Sequence, residues 1–78
     1  MLTEFETRVK DTTYVLKRMH HPEVELIYHV HFDNFSKHCV FRMRKEGNSW
    51  KIIPMPLPSF VIEAESALSA AIERNETE

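Results

Sequence analysis

The 78-residue chain holds one glycine, Gly47, and one cysteine, Cys39. Phosphate-cradling loops and dinucleotide folds need glycines at fixed spacing, because only glycine lets backbone approach a phosphate closely. A single glycine therefore excludes both a Walker loop and a Rossmann fingerprint. A single cysteine excludes an internal disulfide framework and fits a reducing compartment. No apolar run reaches the length of a membrane span. Met1-Leu2-Thr3-Glu4-Phe5-Glu6 lacks the basic and apolar regions of a signal peptide. The expectation is a cytoplasmic chain with no repeats, folding as one small domain over residues 1–78.

What the chain does have is period two. Val24, Leu26, Tyr28, Val30 and Phe32 alternate with Glu25, Ile27, His29 and His31, the pattern of a half-buried strand. Phe5, Thr7 and Val9 alternate with Glu6, Arg8 and Lys10. Lys10-Asp11 makes a turn into the strand formers Thr12 to Leu16. His20-His21-Pro22-Glu23 reads as a connection, and Asp33 to Lys37 as a polar loop with one exposed aromatic, Phe35. Cys39, Phe41 and Met43 alternate with His38, Val40, Arg42 and Arg44. Glu46-Gly47-Asn48 supplies a turn, and Trp50 to Ile53 a last strand ended by Pro54, Pro56 and Pro58. Strands are thus expected at about 3–9, 12–18, 24–32, 38–44 and 49–53.

A helix is expected over 59–74, capped by Ser59, with acids early and Arg74 late. Phe60, Val61, Ala64, Ala67, Leu68, Ala71 and Ile72 form its apolar stripe; Ile62 points out, and residues 75–78 fray. Short hairpins make the strands antiparallel, placing Phe5 opposite Leu16, Thr7 opposite Tyr14, Leu16 near Leu26 and Tyr14 near Tyr28. Burying two unpaired guanidinium groups costs several kcal/mol each, so Cys39, Phe41 and Met43 go inward, not Arg42 and Arg44. The fold class is α+β: a five-stranded antiparallel β-meander with one C-terminal amphipathic helix packed across one face.

The other face is left open. In this register it carries Arg8, Lys17, His29, His31, His38, Arg42, Arg44 and Lys51, with Val15, Ile27, Val40 and Ile53 interspersed. The acids lie mainly on the helix. No nucleophile with a neighbouring base and no carboxylate pair is recognised, so the chain is expected not to be an enzyme. The expected role is a small binding module, the open face meeting an acidic protein or a second copy, with the edge strands also able to pair across a two-fold. No cofactor is expected. One alternative is nucleic-acid binding through the same cations, although the face lacks the aromatics on which bases stack. Another is Zn²⁺ or Cu²⁺ held by His29, His31 and His38, with no carboxylate in reach.

Overall fold

A computed structural model describes residues 1–20, 26–34 and 37–77, the side chains of Asn34 and Lys37 excepted. The expected residues 21–25 of the connection and central strand, the loop aromatic Phe35, Ser36 and Glu78 lie outside the described residues. Five strands, β1 (Glu4–Val9), β2 (Thr12–His20), β3 (Leu26–Asn34), β4 (Lys37–Glu46) and β5 (Ser49–Ile52), make one sheet in the order β1-β2-β3-β4-β5. Every neighbouring pair is antiparallel. Two helical segments follow, α1 (Ser59–Glu63) and α2 (Glu65–Thr77). This is an α+β meander.

Strand parity follows the sequence pattern. Tyr14, Leu16, Tyr28, Val30, Phe32, Phe41, Met43 and Trp50 are buried on the inner face, and Phe5, Val9, Leu26, Cys39 and Ile52 pack partly buried around them. Val61, Ala64, Leu68 and Ile72 close over them from the helical region. Edge-to-face aromatic contacts knit the layers: Tyr28 with Trp50 at 5.1 Å, Tyr14 with Phe32 at 5.1 Å, and Phe32 with Phe60 at 5.6 Å between centroids. Phe5 faces Leu16 and Thr7 faces Tyr14 as the pattern requires.

Several expectations are corrected. Leu16 faces Val30, not Leu26, because β2 continues through His20 before the chain turns. The slide is four residues, which keeps every side chain on its face. Asp33 and Asn34 extend β3 instead of forming a loop, and β4 reaches Glu46. The helix is interrupted at Ala64, where regular helical geometry gives way to a turn, and no helix-breaking residue accounts for it. Pro58, not Ser59, holds the N-cap position, and its carbonyl accepts from Val61 N–H at 3.1 Å with no side-chain cap. The helical end does not fray at Asn75, which is buried; α2 runs to Thr77.

The two sheet edges differ. Ile53 N–H donates to the Arg42 carbonyl at 2.8 Å, so in the alternating antiparallel ladder Trp50 and Ile52 turn their amides away from β4. Helix α2 meets both: Ser69 Oγ accepts from Trp50 N–H at 2.9 Å, and Glu65 Oε2 from Ile52 N–H at 2.9 Å. Glu73 Oε2 takes the Trp50 indole N–H at 3.0 Å. The β5 edge is sealed. At the opposite edge Arg18 N–H donates to the Thr3 carbonyl at 2.8 Å, which makes Phe5–Leu16 and Thr7–Tyr14 bonded pairs. Glu4, Glu6 and Arg8 therefore turn their backbone N–H and C=O groups outward, and among the described residues no hydrogen bond reaches them.

Candidate functional site on the open sheet face

With inner residues fixed by the core, the registers place the remaining strand residues in cross-strand rows on the uncovered face. One row runs Glu4, Lys17, His29, Arg42, and Ile53 beside Arg42. The next runs Met19, Ile27, Arg44, Lys51. On the other side lie Glu6, Val15, His31, Val40, and beyond them Asp33 facing His38, with Arg8 facing Thr13. All eight residues singled out from the sequence, Arg8, Lys17, His29, His31, His38, Arg42, Arg44 and Lys51, thus share this face.

Their charge is less free than the sequence implied. Lys17 pairs with Glu4 at 3.7 Å, Arg44 with Glu46 at 3.4 Å, and Lys51 with Glu65 of α2 at 3.8 Å. Arg8 Nε donates to the Lys10 carbonyl at 3.1 Å. His38 Nδ1 lies 2.6 Å from Asp33 Oδ1. These ion pairs are exposed, Glu65 only partly so, and worth little each in water, but they show that acids accompany the cations. Asp33 also corrects the expectation that no carboxylate lies in reach of the histidines: extension of β3 carries it onto their face. Among the described residues Arg42 and His29 have no carboxylate partner. They sit side by side in the row that Glu4 begins, next to Lys17.

The three candidate metal ligands are not brought together. The His31 and His38 rings are 5.8 Å apart between centroids, with Asp33 bonded to His38. His29 instead stands between Lys17 and Arg42, whose charges oppose a cation. Among the described residues no group of three His, Cys, Asp or Glu side chains is placed to hold a metal ion. Cys39 is partly buried against the core.

Apolar side chains fill the gaps between the cations. Val40 and Met19 are exposed, and Val15, Ile27 and Ile53 half-buried by their neighbours on the sheet. The two rows around Arg42 and Arg44 therefore bring Lys17, Arg42, Arg44 and Lys51 together with Met19, Ile27 and Ile53, and no Phe, Tyr or Trp belongs to them.

The polar cluster that sequence reasoning missed lies on the inner side, under the end of α2. Glu76 Oε2 accepts from Arg18 Nε at 2.8 Å and from the Tyr28 hydroxyl. Asn75 Nδ2 donates to the Tyr28 hydroxyl and to the Leu2 carbonyl, each at 2.9 Å, and Asn75 Oδ1 accepts from Leu2 N–H at 2.8 Å. Burial pushes the Glu76 carboxyl up, but hydrogen bonds from Arg18 and Tyr28 and the charges of Arg18 and Lys45 outweigh it and hold it below its usual range. Burial, then the hydrogen bond to Glu76, pushes the Tyr28 phenol up to about 12. The signal was available: Asn75 continues the helical stripe of Leu68, Ala71 and Ile72. Among the described residues no buried side-chain nitrogen or oxygen lacks a hydrogen-bond partner, and this cluster ties the chain start, β2, β3 and the end of α2 into one joint.

Among the described residues no helix is long and apolar enough to cross a membrane. No family model, curated protein or solved structure matches the chain, so its function rests on its own residues.

Proposed function

We propose that the chain is a small non-catalytic binding module whose open sheet face docks an acidic protein partner. The observation that carries this reading is Arg42, which has no described carboxylate partner and stands beside His29 among cations and aliphatic side chains. A partner presenting carboxylates among apolar residues matches that surface in both respects. Its carboxylates meet Arg42 in a charge-assisted hydrogen bond, and its apolar side chains cover Ile27, Val40 and Ile53. Nucleic acid fits less well, because Glu4, Glu6, Asp33 and Glu46 share the face with the cations and no Phe, Tyr or Trp ring is offered for stacking.

The test is an amide chemical-shift titration with a synthetic peptide of interspersed leucine and glutamate, run beside a single-stranded oligonucleotide. Shifts centred on His29, Arg42, Arg44 and Ile53, weakened by salt and absent from Arg42→Glu with Arg44→Glu, support the reading. An oligonucleotide response stronger than the peptide response moves the function to nucleic acid. No response to the peptide at low salt rejects an acidic partner on this face.

A further inference from the structure

The free edge of the sheet has a self-complementary sequence. Read outward from Thr7, β1 and the first turn residue carry Glu6 against Arg8, Phe5 against Val9 and Glu4 against Lys10. An antiparallel strand pairs residues whose numbers have a constant sum, so a second copy centred on Thr7 meets the first with every charged pair of opposite sign. Glu6 and Arg8 are among the residues whose backbone groups face outward, so both N–H and C=O groups of each are correctly aimed for that ladder.

We propose that two copies of this chain associate through β1, Thr7 beside Thr7 on the two-fold axis, to form one continuous ten-stranded sheet. The register is selective. Sliding by two residues in one direction sets Glu6 against Glu6, and in the other sets Arg8 against Arg8; like charges directly opposite are unfavourable. The inner face supports the same arrangement. Phe5, Thr7 and Val9 are only half-buried in one copy, unlike the central strands, and Leu2 is exposed beside them. Grooves run along this side of the strand between Phe5 and Ala71, and between Val9 and Phe60. Pairing gives each Phe5 a cross-strand Val9 and continues the core across the seam. Arg8 gives up only an exposed contact with the Lys10 carbonyl to reach Glu6 of the second copy.

The β5 edge supplies the contrast. There the two outward amides are taken by Ser69 and Glu65, whereas β1 has outward groups with no described helix side chain on them. This contact does not involve Arg42 or Arg44, so it stands or falls apart from the open-face partner.

Sedimentation equilibrium tests it with charge reversals at exposed positions. Wild type is expected to dimerise. Glu6→Arg alone and Arg8→Glu alone each turn two attractive pairs into two repulsive ones, and each is expected to weaken association by about tenfold or more. An equimolar mixture of the two single variants restores opposite signs at both pairs and is expected to recover the dimer, as is the double reversal. Arg42→Glu with Arg44→Glu dimerises like wild type. Monomeric wild type at millimolar concentration overturns the proposal. So do single variants that dimerise as tightly as wild type, or folded single variants that fail to recover when mixed.

Discussion

Asn75 uses its whole amide group, with both donors and its oxygen engaged to Leu2 and to Tyr28 in a buried setting. Through it the first residues of the chain, the central strand and the last turn of α2 become one joint. Asn75→Ala leaves the Leu2 backbone and the Tyr28 hydroxyl short of partners and is expected to cost about 2–3 kcal/mol in urea unfolding. Tyr28→Phe removes one hydroxyl from the same cluster and is expected to cost about 1–2 kcal/mol. The pH dependence has two limbs. The folded Glu76 carboxyl is depressed, so its contribution is present above the unfolded value of about 4.3 and lost as pH falls through the folded value. The folded Tyr28 phenol is raised, so its contribution is full below its ordinary value of 10.0 and lost as pH rises toward about 12. Glu76→Gln is expected to flatten the acid limb and Tyr28→Phe the alkaline limb of a stability–pH curve.

The two flanking hairpins turn on opposite choices of residue. Lys10 takes φ 57° in the β1–β2 turn, and Gly47 takes φ 64° in the β4–β5 turn. Left-handed backbone costs an L-residue about 1 kcal/mol, and glycine nothing. Lys10→Gly is therefore expected to raise the melting temperature. Gly47→Ala is expected to lower it by a similar amount, although open space surrounds the position and no clash arises. At this scale the strands were readable because period two reports which face each residue takes. The β2–β3 register was not, because a slide of four residues leaves the pattern unchanged. The break at Ala64 was also hidden: Glu63, Ala64 and Glu65 are ordinary helix formers, and the interruption coincides with Glu65 reaching Lys51 and Ile52 of the edge strand. Of the candidate site, the membership of the open face was legible and its neutralisation was not. Asp33 looked like a loop residue, and Glu65 looked like a solvated helix acid.

For the whole molecule, the near-balance of 10 basic and 12 acidic residues resolves into local pairs spanning the layers. Lys45 meets Glu73, Lys51 meets Glu65, and Arg18 meets Glu76, so the acidic helix is fastened to the sheet and is not a separate pole. Arg42 lies outside that network, and Arg42→Glu with Arg44→Glu is expected to leave the thermal midpoint within a few degrees of wild type. A larger fall would mean that the face is part of the core's support. The treatment of the two edges reaches further. If β1 couples as proposed, then with the amides of the other edge stoppered by Ser69 and Glu65 each chain is a monofunctional unit in the polymer chemist's sense: one coupling event exhausts it. Glu65→Ala with Ser69→Ala would make it bifunctional, and light scattering should then show open-ended growth in place of a species of fixed mass.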